Sequence, residues 1–273
     1  MQTSANRPRL WWALALIVAV AGVGYGVFTG YQKKAAQLPA LPTAAPTGLV
    51  ATAPPPSYPV SAPSQDDAPG VELALPDYDQ SDADALATLA ELLGNENLLT
   101  LFKPDYLIAR IVATVDALPR SKLTSDILPV KSVPGMLQVS VVADQTVLAA
   151  SNSQRYAAYL QHLDSVDSKA LIQQYQRWYP HFQRAYRELG YPDGHFNDRL
   201  VAVIDHLLTA PTPPAPIVLV HPQHHWQFDD PALESLSVGH KLLLRLGPEN
   251  AALVKARLRE WRAGIIKLGA SAD

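Results

Sequence analysis

The segment from Tyr191 to His206 carries a dense set of side chains that could bind a ligand or transfer a proton. Its sequence, YPDGHFNDRLVAVIDH, combines carboxylate, imidazole, amide and guanidinium groups. With an arginine of the earlier loop LPRSKL, these side chains form the candidate ligand cluster: Arg120, His195, Asn197, Asp198, Arg199, Asp205 and His206. Catalytic roles within this cluster stay unassigned.

Two carboxylates of this segment have a spacing that suggests acid–base chemistry. Asp198 and Asp205 are seven residues apart and fall on one face of a predicted helix. At a rise of ~1.5 Å per residue their backbones are about 10.5 Å apart, nearer the inverting than the retaining separation of glycosidase carboxylates. One hypothesis is therefore a glycan or peptidoglycan hydrolase. In the structural alternative, Asp193, Asn197 and Asp198 cap the helix, and Asp205 pairs with an arginine of another helix.

The loop LPRSKL places Arg120 and Lys122 on either side of Ser121. An anionic ligand or a partner carboxylate could sit between these cations. The alternative is a basic loop in solvent, because exposed cations are common on protein surfaces.

Three histidines in VHPQHHW form a second candidate site, because imidazole is a good ligand for zinc or copper. His221, His224 and His225 would make at most a weak metal site, since no carboxylate stands at a standard ligand spacing. The alternative is a set of exposed loop histidines at a turn. The sequence thus predicts no cofactor.

Composition and missing motifs exclude several function classes. The chain has no cysteine, which rules out thiolate zinc sites and cysteine nucleophiles. The motifs G-x-S-x-G, P-loop and G-x-G-x-x-G are also absent. Residues 35–273 hold 18 basic and 25 acidic side chains, a charge of 18 − 25 = −7, which argues against a nucleic-acid partner. Enzyme activity stays open, and a binding module is favoured.

Beyond Val71, apolar side chains recur at the spacing of amphipathic helices. Ser81 or Asp82 is expected to cap the first helix, and Pro104 stands at an early position of the second. Later helices are predicted in NSQRYAAYLQHLDSV (capped by Asn152), DSKALIQQYQRWYPHFQRAYRELG (capped by Ser168), HFNDRLVAVIDHLLTAP, LESLSVGHKLLLRLG and PENAALVKARLREWRAGIIK. MLQVSVVADQTVLAA predicts a hairpin with its turn near 143–145. The predicted class is mainly α with a small β-hairpin (α+β).

Aromatic side chains recur along the longest predicted helix. They are Tyr175, Trp178, Tyr179, Phe182 and Tyr186, at the spacing of one helical face. These rings could line a carbohydrate groove, but their spacing is more simply that of a core stripe.

Residues 10–28, LWWALALIVAVAGVGYGVF, are predicted to form a transmembrane helix. The stretch is uncharged and has 19 residues, enough to span a hydrocarbon core of roughly 30 Å. It is longer than the apolar part of a cleaved signal peptide. Its expected partner is the lipid bilayer, with residues 1–9 as a cytoplasmic tail and the rest of the chain outside the cytoplasm.

The remainder divides into a tether and one soluble helical domain. Residues 29–70 are rich in proline and alanine and are expected to be a disordered tether. Residues 71–268 carry the amphipathic pattern of a single domain, and residues 269–273 are expected to be a disordered tail.

Three separated stretches resemble a bacterial family of domains of unknown function, DUF3014. They are IARIVATVDALPRSKL, YPHFQRAYRELGYPDGHFNDRLVAVIDHLL and VGHKLLLRLGPENAALVKARLREWR, which occur in this order. The resemblance spans roughly residues 75–267 and implies a single-pass envelope protein of the inner membrane of Gram-negative type bacteria. It implies no activity and no site residues.

Anchor, tether and domain together predict a binding or scaffold module held in the periplasm. Its expected partner is another envelope protein or a cell-wall component. The hydrolase and the weak metal-binding protein remain the alternatives.

Overall fold

A computed structural model describes residues 54–61, 75–93, 96–131, 135–157, 159–160, 163, 166–222 and 225–269. The predicted transmembrane stretch 10–28 lies outside these residues, as does the predicted tail 269–273 except for Gly269. Within the described part of the chain, no helix combines the length and the apolar character needed to cross a membrane.

The described residues form a mainly helical fold with small antiparallel sheets, which confirms the α+β class. The helices are α1 (Asp82–Leu93), α2 (Leu107–Ala117), α3 (Ser168–Glu188), α4 (Phe196–Leu208), α5 (Pro231–Glu234), α6 (Val238–Leu246) and α7 (Pro248–Ile265). The strands are β1 (Val139–Val142), β2 (Gln145–Leu148), β3 (Leu219–Val220) and β4 (Gln227–Phe228). Short 3-10 helices lie at Tyr78–Gln80, Glu96–Leu101, Ser125–Ile127 and Ala150–Tyr156.

The predicted hairpin is confirmed. β1 pairs antiparallel with β2, and Val139 lies opposite Leu148. The turn residues Ala143 and Asp144 have φ angles of 47° and 64°, as expected for a two-residue hairpin turn. A bridge between Val147 and Val218 connects this hairpin to β3, which pairs with β4.

Two predicted helix starts are wrong: a tertiary contact sets the start of α2, and the residue before the predicted Ser168 caps α3. Helix α2 begins at Leu107 rather than beside Pro104, since Tyr106 has a φ angle of 56°. The Asp82 carboxylate accepts the backbone N–H groups of Tyr106 and Leu107 at 2.6 and 2.8 Å. It therefore holds the start of α2. In α3 the capping carboxylate is Asp167, which accepts the N–H of Lys169.

Asn152 is buried and joins two distant elements instead of capping a helix. Its Oδ1 accepts the N–H of Gln138 at 3.1 Å, and its Nδ2 donates to the carbonyl of Arg245 at 2.8 Å. A buried amide satisfied on both sides in this way stabilises the position of the hairpin relative to α6.

Helix α4 lies at the centre of the fold, in contact with α2, α3 and α7. The apolar stripes of α2 and α4 are buried, as the amphipathic spacing predicts: Ile108, Ile111, Val112 and Val115 of α2, and Phe196, Leu200, Val203, Ile204 and Leu207 of α4. The aromatic stripe of α3 is part of the same core, with Tyr175, Trp178 and Tyr186 buried and Tyr179 and Phe182 packed against them. The first turn of α4, which carries Asn197, Asp198 and Arg199, is thus anchored in the core by Phe196.

Candidate functional site

The first turn of α4 contacts an octapeptide from the proline-rich region, PPPSYPVS at residues 54–61, here called the tether segment. Composition assigned these residues to the disordered tether; the structure instead places them on the domain. A proline-rich chain is already restricted to extended conformations, so a few hydrogen bonds suffice to order it.

Asp198 makes the central contact with the tether segment. Its Oδ2 accepts the N–H of Ser57 at 2.9 Å, and its Oδ1 accepts the N–H of Tyr58 at 2.8 Å. Both carboxylate oxygens therefore bind the main chain of a segment distant in sequence. Asp198 therefore does not cap α4. Both of its carboxylate oxygens are occupied by hydrogen bonds to the tether segment, so this geometry does not favour a role as an acid or base.

Asn197 and His195 extend this contact in both directions along the segment. Asn197 is fully buried; its Oδ1 accepts the Tyr175 hydroxyl at 2.9 Å and its Nδ2 donates to the Tyr58 carbonyl at 2.9 Å. His195 Nε2 lies 2.9 Å from the Pro54 carbonyl. Since a carbonyl only accepts, this nitrogen must carry the proton.

The Tyr58 side chain packs partly buried against the main core. Arg262 of α7 donates to both carboxylate oxygens of Asp205 and lies near Tyr58. The hydrogen bond to Asp205 raises the pKa of Arg262. The Asp205–Arg262 pair joins α4 to α7, as the structural alternative for Asp205 predicted.

The far end of the tether segment is held by α3 and by the end of α7. Gln176 Nε2 donates to the Ser61 carbonyl at 2.9 Å, and the Ser61 N–H donates to the Leu268 carbonyl at 3.3 Å. A Cβ added at Gly269 would lie 2.5 Å from Pro59 Cγ, so only glycine allows this approach. We call the surface formed by Gln176, His195, Asn197, Asp198, Arg262 and Gly269 the tether groove.

Arg120 and Arg199 converge on a different group, the buried carboxylate of Asp116 on α2. Arg199 Nε donates to Asp116 Oδ1 at 2.8 Å, and Arg120 Nη2 donates to Oδ2. The Tyr191 hydroxyl lies 3.3 Å from the same oxygen. The partner carboxylate proposed for the LPRSKL loop is therefore Asp116, and the cluster ties the loop to α2 and α4.

His206 stacks on His240 at the opposite end of α4. The ring centroids are 4.1 Å apart with an interplanar angle of 7°. His206 Nε2 lies 2.8 Å from Ser237 Oγ, and His240 Nε2 donates to the His206 carbonyl at 2.7 Å. Burial lowers the pKa of His206, and the nearby His240 and Arg199 lower it further.

This arrangement predicts a loss of stability in mild acid. In the unfolded chain His206 binds a proton near its ordinary pKa of about 6.5, whereas the folded protein binds it only at lower pH. The unfolded state then holds more protons, so stability falls as the pH drops through about 6.5 towards the lowered pKa of the folded state. Denaturation midpoints at pH 7.5 and 5.5 should differ less in His206→Gln than in the natural protein. An equal pH dependence in both would contradict this assignment.

The histidine loop is only partly described, since His224 lies outside the described residues. The His221 ring packs 4.4 Å from the Trp226 ring, and the His225 N–H donates to the Pro222 carbonyl. Among the residues the structure describes, no three His, Cys, Asp or Glu side chains are grouped to hold a metal ion. The weak metal site stays a prediction.

The sequence analysis identified His195, Asn197 and Asp198, which form one side of the tether groove. It did not identify Arg262 or the tether segment that lies in the groove. Asp116 was also missed, because a single acidic residue within an apolar helix carries no motif. The position of Asp116 in the helix could have identified it. Asp116 falls beside the buried stripe of α2, where a carboxylate needs a cationic partner.

Comparison with known proteins adds a family but no activity. A search of curated proteins and a search of solved structures each returned no match. A family model described as "Protein of unknown function (DUF3014)" matches residues 107–262. These 262 − 107 + 1 = 156 of the 273 residues run from the start of α2 to Arg262 in α7 and include Asp116, Asn197 and Asp198. Since more than half of the sequence matches, the chain belongs to the DUF3014 family.

Proposed function

We propose that this chain is a single-pass, membrane-anchored protein of the bacterial envelope whose folded domain binds extended peptide segments in the periplasm. The apolar stretch 10–28 supports the anchor, because it is long enough to cross a bilayer and has Trp and Tyr near its ends. The N-terminus would lie in the cytoplasm and the domain outside it. The partner would be another envelope protein or a cell-wall component.

The observation that carries the binding role is the tether segment itself. The buried Asn197 and the Asp198 carboxylate both bind main-chain atoms of this proline-rich segment. A domain with a purely structural role would not require such contacts. Side chains that bind a peptide backbone in extended form are a recurring means of peptide recognition. The hydrolase alternative gains no such support, since Asp198 and Asp205 are both engaged by protein partners.

Docking of the tether segment also limits the distance between domain and membrane. With residues 54–61 held on the domain, 53 − 28 = 25 residues remain between the apolar stretch and the groove. At ~3.1 Å per residue in a fully extended proline-rich chain, they reach about 80 Å at most. The groove would therefore face partners close to the bilayer.

The anchor is tested by charge substitution within the apolar stretch. A central arginine costs roughly 2.5–3.5 kcal/mol, and we estimate the favourable insertion energy of residues 10–28 at about 3–5 kcal/mol. The full chain should stay in the membrane fraction after alkaline washing, whereas Ile17→Arg combined with Val20→Arg should release it. Leu49→Arg combined with Val50→Arg adds the same charges to the tether and should leave it membrane-bound. Release of the natural chain by the wash would refute the anchor.

The binding role is tested by purification from membranes with and without residues 71–268. Partners recovered only with the domain, and lost in Asp198→Asn, would support the groove as their site. Recovery of the same proteins without residues 71–268 would contradict a binding role for the domain.

A further inference from the structure

The tether segment lies on the groove as an extended peptide with one face inward. Pro56, Tyr58 and Val60 are partly buried, whereas Pro55, Ser57 and Pro59 are exposed. This alternation has the period of two that an extended chain shows on a surface. The inward side chains are therefore the ones buried against the domain.

The groove recognises the main chain of the segment. Asp198 takes two consecutive N–H groups, while Asn197, His195 and Gln176 each reach a carbonyl oxygen. Such bonds require an extended peptide with two adjacent non-proline residues. Prolines on either side favour binding, because they hold the chain extended before it binds.

Two contacts add selectivity for particular side chains. Tyr58 packs partly buried against the core and lies near Arg262, which favours a large aromatic side chain at this position. Pro59 lies against Gly269, where a Cβ would come within 2.7 Å of the Pro59 carbonyl oxygen. A proline-flanked Ser-Tyr-Pro, the sequence of the segment itself, meets both requirements.

Groups of the domain, not of the segment, position the polar side chains of the groove. The Tyr175 hydroxyl donates to Asn197 Oδ1 within the core. Asp205 pairs with Arg262 through Oδ2 at 2.9 Å. Since neither partner belongs to the tether segment, Asn197 and Arg262 keep these contacts when the segment leaves.

We propose that the tether groove is a binding site for an extended, proline-flanked Ser-Tyr-Pro peptide of another envelope protein, and that residues 54–61 occupy it as an intramolecular competitor. Only residues 62–74 join the segment to the first described residue of the domain. So short a connection gives the tether segment an effective concentration at the groove on the order of mM. A partner must displace the segment, which restricts binding to partners of high affinity or high local concentration. This inference rests on the proposed peptide-binding role and is independent of the membrane anchor.

The test uses the full chain in detergent and a fluorescein-labelled PPPSYPVS peptide as the probe. The double variant Ser57→Pro, Tyr58→Pro removes both N–H groups that Asp198 accepts, and thereby frees the groove. We expect this variant to bind the probe at least about tenfold more tightly than the natural chain, because the competitor is gone. Adding Asp198→Asn to it should weaken probe binding at least about tenfold, and Gly269→Ala should do so sterically.

Matched controls keep the result interpretable. Asp193→Asn changes an exposed carboxylate of the same loop and should leave probe binding in the double variant unchanged. A PPPPPPVS probe should not bind. Equal probe affinity of the natural chain and the double variant, or binding insensitive to Asp198→Asn, would overturn the proposal. A dimer of the natural chain that the probe dissociates would also overturn it, since a second copy would then supply the segment.

Failure of this proposal and failure of the anchor can be told apart. Probe binding is measured in detergent and does not depend on which side of a membrane the domain occupies. Conversely, a chain that binds no probe can still be retained by membranes in the alkaline wash.

Discussion

Replacing Asp116 by asparagine is expected to lower the free energy of unfolding by about 1.5–3 kcal/mol, the usual contribution of a hydrogen bond to a charged group. The Asp116 side chain is only 2% exposed and accepts hydrogen bonds from Arg120 and Arg199. Asparagine has the same shape but no charge, and its amide N–H group would face a guanidinium donor. Domains are commonly stable by only 5–15 kcal/mol, so the expected loss is a large fraction of the total.

Urea denaturation of the full chain, followed by far-ultraviolet circular dichroism, measures this change. The matched control is Glu188→Gln, which removes the partner of Arg184 in a pair whose side chains are both about half-exposed. An exposed pair of this kind contributes about 0–1 kcal/mol. Equal destabilisation by the two substitutions would show that the Asp116 cluster does not behave as a buried ion pair.

Replacing Asp198 by asparagine is expected to release the tether segment from the groove. The carboxylate accepts two N–H groups, and hydrogen bonds to a charged acceptor contribute about 1.5–3 kcal/mol each. Asparagine keeps one acceptor oxygen and turns its amide group towards the other N–H. The amides of Ser57 and Tyr58 should then exchange with solvent at least about tenfold faster.

Hydrogen–deuterium exchange reports specifically on this contact, because four of the eight residues in the segment are prolines without an N–H. The signal comes only from Ser57, Tyr58, Val60 and Ser61. Asp193→Asn is the control for the change in charge and should leave exchange as it is in the natural protein. Unchanged exchange at Ser57 and Tyr58 in Asp198→Asn would mean that the carboxylate does not hold the segment.

Local sequence signals predicted most of the secondary structure and much of the core. The stripe Ile108, Ile111, Val112 and Val115 is buried as its spacing predicts, and Gly247 ends α6 with a φ angle of 84°. These features depend on neighbours within a few residues, so the periodicity of the chain contains them. Asp82 shows where this fails, since its carboxylate holds the start of α2 across 24 residues.

The helices, the hairpin and the apolar faces follow from the sequence alone, and so does the grouping of His195, Asn197 and Asp198 at one helix start. The partners of these side chains depend on how the helices pack. Asp198 is 140 residues from Tyr58, and Arg199 is 83 residues from Asp116. A hydrogen bond is directional and acts over about 3 Å, so its partner is set by how helices pack and not by any spacing along the chain.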